Sequence, residues 1–287
     1  MKKYGSPEST ERHLRRSPNA QRAVEMYNRL RTEAGWTKSN AWHGIARLLL
    51  ACEVWEGGSW RPFQDVVVYR ERNDFKSGSR GPNAVLERAE HLTTYLAAGL
   101  NVSRAKLCSV IGQYWRDPDI AKFQPHNLVG HAFRSLIVTI LETWGDSGIT
   151  YEEEVGPHDE FPGYQFGTRS KRAKIDVIAR RGDLTVALIS ARWRFRHDRV
   201  DVVEEALAYA PAAQRVNRNC KFYAVLGEFA PNRLEKVLTH CPPQPNPAIS
   251  AAVHFAPQLI TDGLGENGRL AALKSLEWLI DQTFNWR

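Results

Sequence analysis

Cysteine is scarce and scattered in this chain: Cys52, Cys108, Cys220 and Cys241 lie far apart, with no CxxC pair and no partnering run of histidines. That spacing argues against a zinc site and against a disulfide framework. Long apolar runs are missing too, since no stretch approaches the roughly twenty apolar residues that a spanning helix needs. The opening MKKYGSPESTERHLRRSPN is basic at first but has no apolar segment behind it, which is not the pattern of a signal peptide. The expectation is an intracellular, soluble protein with reduced thiols.

What the chain does have is length, apolar content and an uneven charge. Its 287 residues are 43% hydrophobic, enough for one large domain or two small ones around a sizeable core. Lys and Arg number 39 against 32 Asp and Glu, a formal excess of +7. Between Arg169 and Arg199 stand ten of the basic residues and three acids (Asp176, Asp183, Asp198), so this segment alone carries +7 and the remainder is about neutral. A local field of that strength suits a polyanion such as nucleic acid. A solvated edge strand protected by its charges is the plainer alternative.

The segment has a strand-like period. Alternate residues of its second run place Ile189, Ala191, Trp193 and Phe195 on one side and Ser190, Arg192, Arg194, Arg196 and Asp198 on the other. That alternation predicts a strand with one buried and one charged face. The first run sets Ile175, Val177 and Ala179 against Lys174, Asp176 and Arg180, and Arg181-Gly182-Asp183 reads as a tight turn. The resulting hairpin presents Asp176, Ser190 and Arg192 to a common side.

Elsewhere, residues 1–18 are polar and expected to fray, and 19–120 read as a helical part. Ala23, Met26, Tyr27 and Leu30 fall at helical spacing, and Ser39 caps a second helix burying Trp42 and Ile45. Residues 61–69 contain a VVVY run that suits a short strand, and 75–82 form a Gly- and Ser-rich loop. Two helical patterns, 83–98 and 103–115, joined by Gly99-Leu-Asn-Val-Ser, have the outline of a helix-turn-helix, or of a helical hairpin that merely packs. From 121 to 287 the expected order is helix 128–144, strand 150–155, loop 156–170, the hairpin, helix 202–214, strand 222–227, an extended 252–255 and an amphipathic helix 270–284. This is a mixed α/β domain with helices covering a central sheet.

On Asp176, Ser190-Ala191-Arg192, Arg196-His197-Asp198-Arg199 and Glu205, with Glu204 beside it, the chain resembles the PD-(D/E)XK nuclease superfamily. Within it, the likeness is to type II restriction endonucleases that cut CCGG and CCNGG sites. In that branch the first acid lies on one strand, the next carries Ser-x-Lys, an arginine-rich reading segment follows, and a displaced glutamate returns on the next helix. The resemblance covers about eighty residues, from the 128–144 helix to the 222–227 strand. It implies a restriction-endonuclease-like fold and Mg²⁺-dependent cleavage of double-stranded DNA. It also implies a homodimer matched to a palindromic site, and residence in a bacterial or archaeal cytoplasm.

By this resemblance Asp176, Glu205 or Glu204 and the Ala191 backbone hold the metal, with Ser190 in the same site and Arg192 on the scissile phosphate. Arg196, Asp198 and Arg199 match a reader of G·C pairs, because Arg donates to guanine O6 and N7 and an acid accepts from cytosine N4. Arg194, Arg172 and Lys174 then contact the DNA backbone. Three departures stand out: Ile175 where the pattern has proline, Arg134 where it often has a helix glutamate with Glu142 two turns later, and Arg192 at the lysine position. Guanidinium stays protonated, so Arg192 steadies charge but accepts no proton. A DNA-binding protein of the same fold with little cleavage is the alternative. A strand-end Asp176 paired to Arg192, a solvated Glu204 and Glu205 near a helix N-terminus, and surface arginines paired with Asp198 are the purely structural readings.

Overall fold

A computed structural model describes residues 125–166, 174–193, 201–228, 231–255, 257 and 270–287, with short pieces between 20 and 60 and at 103 and 105. The VVVY run, the 75–82 loop, most of the 83–115 helical pair and all of residues 1–18 lie outside the described residues, so the division at 120 is an expectation only. Of the first predicted helix, Ala20, Tyr27 and Arg31 are described as helical. Tyr27 is buried, and its hydroxyl accepts from Trp144 Nε1 at 3.3 Å.

The core is a six-stranded mixed sheet. Its strands follow chain order: β1 (Thr150–Val155), β2 (Ile175–Arg181), β3 (Leu184–Arg192), β4 (Lys221–Leu226), β5 (Ala251–His254) and β6 (Lys274–Ser275). The β1–β2 and β2–β3 pairs are antiparallel, whereas β3–β4, β4–β5 and β5–β6 are parallel. Antiparallel neighbours need only a turn, and Gly182, with φ of 60°, supplies it between β2 and β3. Parallel neighbours need a crossover, which α3 (Asp201–Val216) supplies between β3 and β4. Along the β2–β3 ladder Arg180 pairs with Thr185 but Ala179 pairs with Ala187, so Val186 is an extra residue on β3, a bulge.

Helices cover both sides of the sheet. Helix α1 (Pro125–Trp144) opens on a proline, which suits a first turn, and buries nearly every side chain from Ala132 to Leu141. Its Phe133 meets Trp193 edge-on at 5.3 Å. On the Tyr223 side of β4, Trp286 stacks at 5.5 Å just beyond α5 (Leu276–Gln282). The opposite side carries Ile178, Leu188, Phe222, Ala224 and Leu226 beneath Val202, Ala206, Tyr209 and Ala213 of α3 and Leu234 and Val237 of α4 (Pro231–Leu238).

Three expectations change. The charged face of the second hairpin strand is buried rather than solvated, because α3 lies over it: Asp176 is 8% exposed and Ser190 2%. β3 is also interior to the sheet, which removes the edge-strand alternative. The 156–170 loop contains the short helix α2 (Pro157–Glu160), and α4 is an added helix. The predicted 270–284 helix is broken: 270–272 is a 3-10 turn, 274–275 is β6, and α5 starts only after Ser275, whose hydroxyl accepts from the Trp278 amide. Leu273, Leu276 and Leu279 are buried as expected, whereas Trp278 is half-buried.

The end of β3 is tightly fitted. The Gly227 amide donates to the Arg192 carbonyl at 2.9 Å, and a methyl group at Gly227 would lie 2.9 Å from the Trp193 carbonyl oxygen. Gly227→Ala is therefore expected to cost about 1–3 kcal/mol through overpacking. Urea denaturation checks it: a lower midpoint at unchanged slope is the expected result, and an unchanged midpoint shows that the strand end yields freely.

Candidate active site

Four side chains from two strands and one helix converge where β2 and β3 pass under the start of α3. Asp176 on β2 lies one step beyond the Val177–Ile189 pair, next to Ser190 on β3. Its Oδ2 accepts from the Ala191 amide at 3.0 Å and from Ser190 Oγ at 3.4 Å. Glu205 reaches the same place from α3, because Val202, Glu205, Ala206 and Tyr209 form that helix's buried stripe. Ser190 Oγ donates to Glu205 Oε2 at 2.6 Å, a bond alternative to the one with Asp176 since a hydroxyl has one proton.

Arg192 lies between the two carboxylates. One guanidinium nitrogen is 3.1 Å from Asp176 Oδ2, and the other bonds Glu205 Oε1. Burial opposes its charge, yet the fields of Asp176, Glu205 and Asp201 together push its pKa above the ordinary guanidinium value. One cation against two carboxylates leaves the trio with a net charge of −1. Arg192 Nε is buried and, among the described residues, has no hydrogen-bond partner.

The other predicted residues are placed differently. Glu204 is exposed and stands outside this cluster, because it points off the α3 stripe that carries Glu205. Lys174 is exposed just before β2. Arg172, Arg194, Arg196, Asp198 and Arg199 lie outside the described residues, as does Phe195, while Trp193 is buried in the core. Arg180 and Arg181, part of the basic excess, are neutralised from outside the segment: Arg180 by Glu160 and Glu152, Arg181 by Asp146. Much of the described part of that excess is thus internally balanced.

A neighbouring polar layer escaped the sequence reading. Arg134 of α1 bonds Glu153 Oε2 at 3.0 Å and Glu154 Oε1 at 3.1 Å, and Ser135 Oγ donates to the same Glu153 oxygen at 2.7 Å. Glu154 stands across the β1–β2 ladder from Asp176 and has φ of 57°, a strained conformation for a non-glycine residue. The signal was available in Glu152-Glu153-Glu154 facing a helix arginine. Glu142 is exposed, and its charge adds to the burial that raises the Tyr151 pKa.

Asp176 and Glu205 are hard oxygen donors, and Mg²⁺ commonly uses one or two carboxylates and retains several waters. The residual negative charge and the nearly buried carboxylates fit such an ion in chemical type. Among the described residues no group of three or more His, Cys, Asp or Glu is arranged to hold a metal. Any ion here therefore depends on the two carboxylates, backbone oxygen and water.

No protein-family model matches the chain, and no curated protein matches it. Among solved structures, the chain is similar to a restriction endonuclease PspGI–substrate DNA complex over 78% of this chain and 90% of that one. Sequence identity is 16% and the TM-score 0.34, a likeness too slight to transfer any residue's role. Among the described residues no helix is long and apolar enough to cross a membrane.

Proposed function

We propose that this chain is a Mg²⁺-dependent type II restriction endonuclease of the PD-(D/E)XK kind, hydrolysing double-stranded DNA at a short G·C-rich palindromic site. The observation that carries the reading is the meeting of Asp176, Ser190 and Glu205 around Arg192, from β2, β3 and α3. Asp176, Glu205 and the Ala191 backbone would hold the ion, which when bound activates water and neutralises charge on the phosphate. Ser190 Oγ and the Ala191 amide fix the carboxylates. Arg192 steadies the scissile phosphate, and since it accepts no proton, a water or another group must take the nucleophile's.

Sequence reading is assigned to Arg196, Asp198 and Arg199, which follow directly on the site strand, with Arg172, Lys174 and Arg194 on the phosphates. A palindromic site calls for a homodimer. One observation favours a second reading: Arg192 fills the space between the carboxylates, as in a DNA-binding protein of this fold that has lost cleavage.

Plasmid digestion with Mg²⁺ or Mn²⁺, by this chain and by Arg192→Lys, tests both, with the ends mapped. The expected result is cutting at defined G·C-rich positions, faster for Arg192→Lys because lysine is able to lose a proton when its pKa is lowered. Salt-dependent DNA binding without cutting by either protein selects the second reading. Absence of both binding and cutting overturns the proposal.

A further inference from the structure

We propose that the Arg192 guanidinium is an exchangeable counter-ion: it neutralises the carboxylate pair until a DNA phosphate draws it away and a divalent cation takes its place. The inference rests on the nuclease reading above and adds to it an order and a coupling between DNA and metal.

Three observations carry it. The Asp176 and Glu205 side chains are 9% and 6% exposed, so leaving the charged pair without a counter-ion costs several kcal/mol. The Arg192 side chain, at 27%, is the most exposed of the three and ends β3, so it is the member placed to leave. Its resting position is also incomplete, because Nε is buried without an acceptor among the described residues while the two terminal nitrogens hold carboxylates.

A phosphate offers what that position lacks. Guanidinium presents Nε and a terminal nitrogen as a fork that fits two phosphate oxygens. Moving to phosphate would satisfy Nε and leave two negative charges facing each other. A divalent cation balances those charges fully, whereas Arg192 leaves one over. DNA and metal should therefore favour each other's binding by the same factor, as linkage requires.

Two equilibrium measurements test this. The first follows Mn²⁺ binding by electron paramagnetic resonance, without DNA, for the unmodified chain, Arg192→Lys and Arg192→Met. The second follows binding of short randomised-sequence duplex DNA by fluorescence anisotropy, with and without Ca²⁺ at constant ionic strength. For the unmodified chain, Ca²⁺ is expected to strengthen DNA binding by about 5- to 150-fold, the usual range of such couplings.

Arg192→Met is expected to bind Mn²⁺ roughly tenfold or more tightly without DNA and to lose most of the coupling. Arg192→Lys, which keeps a charge on a shorter donor set, should fall between. Should Arg192→Met fail to fold, the coupling in the unmodified chain and its reduction in Arg192→Lys still decide. Mn²⁺ bound equally well with and without Arg192, together with DNA binding indifferent to Ca²⁺, overturns the exchange but leaves the nuclease reading standing. Failure of every form to bind metal, with or without DNA, overturns both.

Discussion

Asp176→Asn is expected to abolish DNA cleavage while leaving DNA binding within a few-fold. Asparagine keeps the shape of the side chain and an oxygen for the Ala191 amide, which donates to Asp176 at 3.0 Å, so the local fold persists. What disappears is one of the two negative charges proposed to hold the ion. If the ion supplies several kcal/mol of transition-state stabilisation, the loss is about three orders of magnitude in rate. Glu205→Gln should behave alike, whereas Glu204→Gln should be near neutral because Glu204 is exposed and off the cluster. Single-turnover cleavage beside a binding titration reads this directly. Undiminished cutting by Asp176→Asn removes that residue from the site, and a deficit confined to Glu204→Gln shifts the metal ligand by one residue.

A steep loss of stability is expected in alkali. Burial pushes the Cys220 thiol up to about 12 and the Cys241 thiol to about 11 from an ordinary 9.0, and the Tyr223 hydroxyl to about 12 from 10.0. Burial raises Tyr151 as well, and the carboxylates of Glu142 and Asp146 add to the effect. Each group holds its proton more tightly in the folded chain than in the unfolded one. Above about pH 9 the unfolded chain releases protons that the native chain keeps, so stability falls until the folded pKa values are passed. Between about pH 8 and pH 11 the loss should reach several kcal/mol, at about 1.4 kcal/mol for each unit by which a pKa is raised. Denaturant midpoints across that range measure it, and Cys220→Ala should flatten the slope. A level profile to pH 11 contradicts the protonated burial of these groups.

Much of the sheet was legible because its signals are local. The 184–192 and 221–226 strands are largely apolar runs, and Gly182 marks the hairpin turn. The choice between Glu204 and Glu205 was legible in principle, since Val202, Glu205, Ala206 and Tyr209 share one helical stripe. Helix α4 also left a trace, with Pro231 at its start and Leu234, Val237 and Leu238 at helical spacing. The burial of the polar strand face was not legible, because it depends on where α3 docks. Nor was the position of Arg192, since a row of arginines does not reveal which acids will neutralise each one. Arg180 illustrates the same limit: its partner Glu160 lies in a stretch that reads as a loop.

The bulge at Val186 has a bearing on the site that its own surroundings do not suggest. From the turn, Arg181 pairs with Leu184 and Arg180 with Thr185, and continuing that count without interruption would set Asp176 opposite Ile189. The additional residue advances β3 by one, so that Asp176 meets Ser190 instead. Since neighbouring residues of a strand point to opposite faces, this single step decides whether the acid is accompanied by a hydroxyl and a guanidinium or by core hydrocarbon. Flattening the bulge with Val186 still in the chain would thus be a change of phase without any loss of volume, whereas deleting Val186 would keep Asp176 opposite Ser190: the chemistry of the site is counted out from its far end, and a miscount of one would erase it with every site residue still in the chain.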